Sequence, residues 1–305
     1  MSAKDELLDR IKYLNVAVNS ESLINVGIGT SDHNGAANLL RKGLGIVAFN
    51  ILEDFIKAKS HEALVSISSS GIRYDNLPEK LQEATTLGAL KALVFRAKLE
   101  KKDGGDWLSM IQNESGNINS TANRNFSLSQ YSFANESSNV SAQEILDILK
   151  AFNISGGWNK LKDISDSIFG GVANLSDSYK NAAERRHNAA HVANFEYQHS
   201  WLSNIQAEII SIAAAIDIIL TAMCRLVTSS PTSALNEHDL DAALNYRYLC
   251  FENGVYKEKT TITARSIKNW DSVPIALNTL QPRLLPRNEF LIVLNSSGRV
   301  CDWYS

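Results

Sequence analysis

The stretch 209–227, IISIAAAIDIILTAMCRLV, is apolar over almost its whole length and constrains the fold more than any other part of the chain. It is long enough either to span a membrane or to form a central buried helix. Asp217 lies at its centre and Arg225 near its end, and a charge in the middle of a bilayer is costly. We therefore predict a helix over 201–227 that is buried in a bundle. Because a buried carboxylate needs a partner, we expect Asp217 to pair within the bundle or to cap a polar gap.

The composition is that of a soluble, cytoplasmic protein. Of the 305 residues, 44% are apolar and 21% are charged, which is an ordinary globular balance. The net charge of −3 predicts no overall attraction to nucleic acid or to an anionic membrane, so a polyanion would need a local patch. Cys224, Cys250 and Cys301 are odd in number and lack metal-ligand spacing, which indicates reduced thiols. The charged N-terminus lacks the apolar core of a signal peptide, and no membrane partner is expected.

Helical periodicity accounts for most of the first 230 residues. Gly43 and Gly45 lower the helix propensity of their segment, which suggests close packing against a neighbouring helix. Between 113 and 141 about half of the residues are Asn or Ser, and we predict a long loop or insertion there, because so little apolar surface cannot offset the entropy of ordering. The predicted helices cover 5–18, 38–64, 79–101, 142–152, 158–169, 176–197 and 201–227.

From residue 245 the pattern changes from helix to strand. Two segments, 246–252 and 255–262, flank Asn253 and Gly254, a pair that strongly favours a tight hairpin turn. A second hairpin is predicted around 295–298. The predicted fold class is therefore mainly α, a helical bundle with a small C-terminal β-rich module. We divide the chain into an N-terminal helix and connection (1–34), a helical domain (35–230) and the β-rich module (245–305).

A dense polar cluster lies on the predicted helix 176–197. It consists of Glu184, Arg185, Arg186, His187, Asn188 and His191. Charged residues on an amphipathic helix usually form a solvated face. A metal site is a second interpretation, because His187 and His191 are four residues apart with Glu184 on the same face. This interpretation lacks a clear further ligand, and the two neighbouring arginines raise the cost of binding a dication.

A third interpretation makes the cluster catalytic. Cleavage of RNA by its own 2′-hydroxyl needs a base, an acid and a cation over the phosphate, which are tasks that His and Arg perform well. On a helical wheel Arg186 lies about 140° from His191, so the two side chains do not converge easily within one regular helix. If two copies of the helix met across a two-fold axis, each site would combine residues from both chains and this obstacle would disappear.

The segment 186–191, RHNAAH, resembles the R-x4–6-H signature of the HEPN superfamily, in which the residue after the Arg is commonly Asn, Asp or His. The surroundings are similar too. The segment 50–56, NILEDFI, resembles the Leu-Glu pattern of a long early helix, and a second long apolar helix follows the motif. The resemblance extends over about residues 35–228 and points to the RiboL-PSP-like branch. It implies a HEPN-type helical bundle that dimerises through the motif helices and cleaves RNA without a metal, leaving 2′,3′-cyclic phosphate ends.

The same resemblance implies a role for each motif residue. Arg186 would stabilise the phosphate and His191 would act in proton transfer. His187 would support the site, and Asn188 would orient the substrate or a partner side chain. Arg185 and Glu184 are neighbours that the motif does not require. The resemblance implies no cofactor and no metal.

Many HEPN proteins are toxins or anti-phage effectors, so an operon-encoded antitoxin or defence partner is expected beside the RNA substrate and the homodimer. One subset, paired with nucleotidyltransferase antitoxins, carries a Tyr two residues after the motif His, and that Tyr is the modification target. Here this position is Ala193, and the nearest tyrosine is Tyr197. The departure argues against that antitoxin mechanism.

Two other functions remain open at this point. The chain could be a non-catalytic HEPN dimer that binds RNA or nucleotides or acts as a scaffold. It could also be a helical interaction protein whose Arg/His cluster is merely exposed. In the β-rich module, aromatic and basic residues alternate in a way that suits either a nucleic-acid face or a half-buried hairpin. These residues are Tyr246, Tyr248, Tyr256, Lys257 and Lys259.

Overall fold

The computed structural model of the chain describes residues 1–27, 30–135, 139–230 and 237–305. Helices dominate up to residue 242, and a five-stranded sheet with one further helix follows. The helices are α1 (Ala3–Val18), α2 (Ser31–Ser68), α3 (Glu79–Glu83), α4 (Ala89–Lys102), α5 (Trp107–Ser120), α6 (Ala142–Ala151), α7 (Gly157–Ser167), α8 (Leu175–His191), α9 (His199–Ser229), α10 (Glu237–Ala242) and α11 (Val273–Leu284). The strands are β1 (Asn245–Glu252), β2 (Val255–Lys259), β3 (Lys268–Trp270), β4 (Glu289–Leu294) and β5 (Val300–Tyr304). The predicted fold class is confirmed.

Helices α2 and α9 form the centre of the bundle. They pack along each other, and α1 and α8 contact both of them while α7 packs on α9. In the described part of the chain α9 is the one helix long and apolar enough to cross a membrane, and 83% of its most apolar window is buried inside the protein. The predicted burial of this segment in a bundle is therefore confirmed.

The buried carboxylate of Asp217 has the partners that the sequence led us to expect. It forms an ion pair with the ammonium group of Lys59 on α2. It also accepts hydrogen bonds from the indole Nε1 of Trp303 on β5 at 2.5 Å and from the hydroxyl of Thr221 at 3.2 Å. Asp217 thus links the two central helices to the sheet.

Two predicted helix boundaries need correction. Helix α2 begins at Ser31, seven residues before the predicted start, and so includes part of the predicted connection. Helix α8 ends at His191 and not at Tyr197, and residues 192–197 form no helix. Side chains of α2 donate hydrogen bonds to backbone carbonyls after His191. These bonds take the place of the backbone hydrogen bonds that a longer helix would have made.

The sequence predicted a long loop or insertion over the Asn/Ser-rich segment 113–141. Much of the segment is instead helical or packed against the core. Its first eight residues continue helix α5 to Ser120. Beyond them the described residues contain a 3₁₀ turn, Gln130–Ser132, and bury apolar side chains, among them Phe126, Leu128 and Val140. The carboxylate of Glu114, itself buried, accepts a hydrogen bond from the Ser129 hydroxyl at 2.5 Å. The composition of the segment did not predict this packing, because the buried side chains are few among many Asn and Ser residues.

The C-terminal strands form one mixed sheet in the order β3-β2-β1-β4-β5. Both predicted hairpins are present, and Asn253 and Gly254 have φ of 55° and 82°, as their tight turn requires. The sequence did not predict the parallel pairing of β1 with β4 or the helix α11 between β3 and β4. One face of the sheet, including Phe290, joins the main core of the bundle, and the other face packs on α11.

Candidate functional site

Helix α8 presents the motif, and its first half is anchored in the core. The helix begins after Asn174, whose side chain accepts a hydrogen bond from the backbone N–H of Asp177 at 3.1 Å. Leu175, Tyr179 and Ala182 are buried on one side of the helix. The hydroxyl of Tyr179 donates a hydrogen bond to the carbonyl of Val140 at 2.7 Å, and burial raises the pKa of this tyrosine. The start of α8 is therefore held rigidly.

The C-terminal end of α8 is held by side chains of α2. The buried Lys42 ammonium group donates hydrogen bonds to the carbonyls of Val192 at 3.0 Å and Ala193 at 2.8 Å. Asn38 donates to the carbonyl of Phe195 at 3.1 Å and accepts from the N–H of Tyr197 at 2.9 Å. A cation at the carbonyl end of a helix also complements its dipole. These contacts stop the helix immediately after His191 and fix the path of the chain that follows.

The two motif histidines lie together at the exposed end of α8. The ring centroids of His187 and His191 are 4.8 Å apart, and both residues are exposed. Asn188 beside them is half-buried, and Glu184, one turn earlier, is exposed. In the described part of the chain, the histidines on this face of α8 are therefore open to solvent.

Arg186 points the other way, toward α2. It is half-buried, and its Nε atom is buried without a hydrogen-bond partner among the described residues. Its charge acts on the carboxylate of Glu53, which is only 4% exposed. Burial raises the pKa of Glu53, while the Val140 N–H and the positive charges of Lys57 and Arg186 lower it in part. Arg186 and the exposed His191 thus lie on different sides of one helix, as its geometry requires.

Arg185 connects α8 to α9. Its guanidinium group lies over the ring of Trp201, 5.1 Å from the centroid, and its Nη1 atom is 3.8 Å from the carboxylate of Glu208. Burial raises the pKa of Glu208, and the charge of Arg185 offsets part of that shift. These contacts hold the Arg185 side chain against α9.

The structure places further charged residues beside the motif helix that the motif itself does not identify. Glu53 and Lys42 approach α8 from α2, and Glu208 approaches it from α9. A charged residue within an apolar helical segment was the available signal for all three, since a buried charge needs a partner. Among the described residues, no group of three or more His, Cys, Asp or Glu side chains is arranged to hold a metal ion.

The β-rich module does not bring its aromatic and basic residues to a common open face. Tyr248 is buried, and its hydroxyl donates a hydrogen bond to the carbonyl of Ser167 at 2.9 Å. Lys257 and Lys259 both bind the carboxylate of Glu252, at 3.0 Å and 2.7 Å. The alternation is therefore explained by the packing and ion pairs of the hairpin.

Comparison with known proteins gives one match. A family model described as RiboL-PSP-HEPN matches residues 5–229, nearly three quarters of the chain, including all of α8 and α9. No curated protein and no solved structure matches the chain.

Proposed function

The chain belongs to the RiboL-PSP-HEPN family, as the motif predicted, and from this premise we propose that it is a metal-independent endoribonuclease. One observation carries the proposal. Helix α8 ends at His191, where it presents two adjacent imidazoles, and holds the guanidinium of Arg186 less than two turns away. These groups are the ones that cleavage of RNA by its own 2′-hydroxyl requires.

The reaction would follow from the chemistry of these groups. A neutral imidazole takes the proton of the 2′-hydroxyl, and the 2′-oxygen forms a bond to phosphorus. The bond from phosphorus to the 5′-oxygen breaks, and an imidazolium donates the proton that this oxygen gains. Arg186 stabilises the negative charge that builds on the phosphate. The products are a 2′,3′-cyclic phosphate and a 5′-hydroxyl. We assign proton transfer to His191 and a supporting role to His187.

A homodimer through the α8 helices would complete the site. Within one chain Arg186 faces α2 while His191 is exposed, so a phosphate held by the arginine is poorly placed for the histidine of the same helix. Across a two-fold axis, Arg186 of one protomer and His191 of its partner can converge on one phosphate. The exposed histidine face supplies the surface for this contact, and Asn188 beside it would orient the substrate or the partner.

We further propose that the enzyme is cytoplasmic and acts as a toxin or anti-phage effector, restrained by an antitoxin or defence partner encoded nearby. Free ribonuclease activity in the cytoplasm would be harmful to its host, which is why a restraining partner is expected. In one HEPN subset the antitoxin modifies a tyrosine two residues after the motif histidine. In this chain that position is Ala193, so a partner would have to restrain the enzyme in another way.

The experiment that tests this function incubates total RNA with wild-type protein and with the Arg186→Ala and His191→Ala variants, all in EDTA, and maps the product ends. Wild type alone should cut and leave cyclic phosphates. Asp9→Asn is the control, because Asp9 is exposed on α1, outside the histidine face of α8, and its replacement should leave cleavage unchanged. RNA that stays intact with folded, dimeric wild-type protein, with any known activator present, would contradict the proposal. Gel-shift binding that survives both alanine variants would then indicate the non-catalytic dimer.

A further inference from the structure

The first half of helix α2 exposes an apolar surface to solvent. Leu39, Leu40 and Val47 are 70%, 49% and 47% exposed, and Ala36 and Gly43 are exposed on the same side of the helix. At about 100° per residue, all five lie within about 100° of arc around the helix axis. Together they form what is named here the α2 face.

The α2 face carries no charge. Residues 36–50, all of which the structure describes, include two charged side chains, Arg41 and Lys42, and both are buried. Arg41 donates a hydrogen bond to the carbonyl of Tyr197 at 2.6 Å, and Lys42 donates one to the carbonyl of Ala193 at 2.8 Å. A helix face that stays in solvent normally carries charged residues. An open face without any is therefore expected to be covered by a partner.

The α2 face lies at the level of the motif. Near the start of α2, Lys42 meets Val192 just beyond the end of α8. Further along α2, Phe49 meets Tyr179 near the start of α8, with ring centroids 5.4 Å apart. The two helices therefore run antiparallel, and the end of α8 that carries the motif lies alongside the stretch of α2 that includes Val47.

The motif histidines point away from helix α9. Helices α2, α8 and α9 contact one another pairwise, so α9 covers one side of the pair formed by α2 and α8. On α8, Arg185 turns toward α9, where its guanidinium group lies over the ring of Trp201. His187 and His191 lie about 160° and 120° from Arg185 around the helix. Both histidines are exposed on the side that α9 leaves open.

The α2 face points away from α9 as well. The side of α2 toward α9 holds Lys59, which pairs with Asp217, and Ala63, whose carbonyl accepts a hydrogen bond from the Cys224 thiol. Val47 lies about 120–160° from these two α2 residues around the helix. The α2 face and the motif histidines therefore lie next to each other on one open surface of the bundle.

We propose that the α2 face packs against a second copy of the chain, beside the motif histidines. This inference rests on the proposed ribonuclease function, in which the site of one chain is incomplete without its partner. It adds a helix outside the motif to the dimer. The apolar contacts of α2 supply affinity, and they hold the two α8 helices so that Arg186 of one chain and His191 of the other reach one phosphate.

The chemistry of the α2 face favours a second copy over RNA. RNA binding needs cations for the phosphates, and this face offers none. A two-fold axis brings the same surface of both chains into one interface, where like charges would repel each other, and an uncharged surface avoids this cost. The buried centre of a protein interface is apolar and poor in charged residues, which the aliphatic side chains of α2 supply and the imidazoles alone do not.

The test measures the dissociation constant of the dimer by analytical ultracentrifugation of the full chain, without RNA. The variant Leu40→Lys/Val47→Lys places two charges in the apolar contact, and we expect the dissociation constant to rise at least about 100-fold. Circular dichroism checks that the variant is folded. If it is not, Leu40→Gln/Val47→Thr, which is polar and of similar size, takes its place, with an expected rise of about tenfold.

Two controls separate the α2 face from a general effect of substitution. Leu90 and Val94 on α4 are 44% and 53% exposed, so Leu90→Lys/Val94→Lys adds the same charge to another apolar surface and should leave the dimer unchanged. Gly43→Ala changes the α2 face itself but keeps it uncharged and apolar. The dimer should therefore persist in this variant.

Each outcome decides the question. Loss of the dimer in the α2 variant, with both controls dimeric, supports the inference. A folded α2 variant that dimerises as tightly as wild type overturns it, and so does an equal loss in the α4 control. A wild-type chain that stays monomeric also overturns it and leaves the α2 face to a different protein or to RNA.

The ribonuclease proposal is decided by a different measurement. If wild type forms the dimer through the α2 face but cuts no RNA, the ribonuclease proposal fails and the assignment of the interface does not. If the monomeric α2 variant cuts RNA as fast as wild type, the interface is again unaffected, but the site does not need two chains.

Discussion

Gly45 on α2 lies directly against the ring of Tyr197, the buried tyrosine that follows the motif helix. A Cβ atom built on Gly45 would be 2.3 Å from the Cε2 atom and 2.7 Å from the hydroxyl oxygen of Tyr197. Tyr197 also donates its backbone N–H to Asn38 and accepts a hydrogen bond from the Arg41 guanidinium at its carbonyl, at 2.6 Å. The chain after His191 is therefore packed on α2 over several residues, and Gly45 leaves the space that the Tyr197 ring occupies.

Replacing Gly45 by Ala should therefore destabilise the protein. The added methyl group overlaps the Tyr197 ring, and such overpacking costs about 1–3 kcal/mol. Gly43→Ala is the matched control, since no atom lies within 4 Å of a Cβ at that position. At position 43 the better helix propensity of Ala should raise the free energy of unfolding by about 0.5–1 kcal/mol. Urea denaturation of both variants measures the two effects, and equal effects would contradict the assignment.

Gly43 and Gly45 also show how much of the packing the sequence alone can predict. Both glycines were predicted to mark close packing, but only Gly45 does so, and Gly43 is exposed. Helix propensity is local and treats the two residues alike. The difference between them depends on Tyr197, which reaches α2 only because the chain folds back after α8.

In the candidate site and in the sheet, too, local features could be predicted from the sequence, whereas contacts between distant segments could not. The motif residues were found because they are consecutive on one helix, and the buried helix α9 was found because its apolar run is continuous. Lys42 was missed as a site neighbour because its hydrogen bonds to the carbonyls that follow α8 join distant parts of the chain. Both hairpins were found from local turn signals, whereas the pairing of β1 with β4 depends on the crossover through α11 and has no local signal.

Asp217→Asn should strongly destabilise the fold. Burial by itself lowers the pKa of Lys59, but the charge of Asp217 and its hydrogen bond outweigh this effect, and the net shift is upward. Without the Asp217 charge, the Lys59 ammonium keeps only Glu62, 3.7 Å away, as an acidic partner among the described residues. Breaking a buried ion pair in this way costs about 3–5 kcal/mol. The double variant Lys59→Met/Asp217→Asn removes both charges, keeps an oxygen that can accept from the Trp303 indole, and should recover most of the loss. Chemical denaturation checks this, and a double variant less stable than Asp217→Asn would refute the explanation.

Stability should fall between pH 10 and pH 12 with a contribution from Tyr197. Burial raises the pKa of Tyr197 to about 12, whereas an unfolded tyrosine has a pKa of about 10. Between these values the unfolded chain has lost the phenolic proton and the folded chain has kept it, so the unfolded state binds fewer protons. The stabilisation is complete below pH 10 and is lost as the pH rises, at about 1.4 kcal/mol per pH unit for one such group.

The variant Tyr197→Phe removes this group and should make the dependence of stability on pH shallower in that range. Tyr13, which is 63% exposed, is the matched control, and Tyr13→Phe should leave the slope unchanged. Denaturation midpoints measured from pH 9 to pH 12 give both slopes. The same slope in wild type and in Tyr197→Phe would show that Tyr197 does not carry the effect.

The proposed dimer makes a distinct prediction for mixtures of inactive variants. Arg186→Ala and His191→Ala are each inactive alone if the site needs both residues. Refolded together, about half of the dimers carry one chain of each kind. If each site takes Arg186 from one chain and His191 from the other, every mixed dimer has one intact site, and about a quarter of the wild-type activity should return. If both residues act within one chain, no mixed dimer has an intact site, and the mixture should stay as inactive as its components.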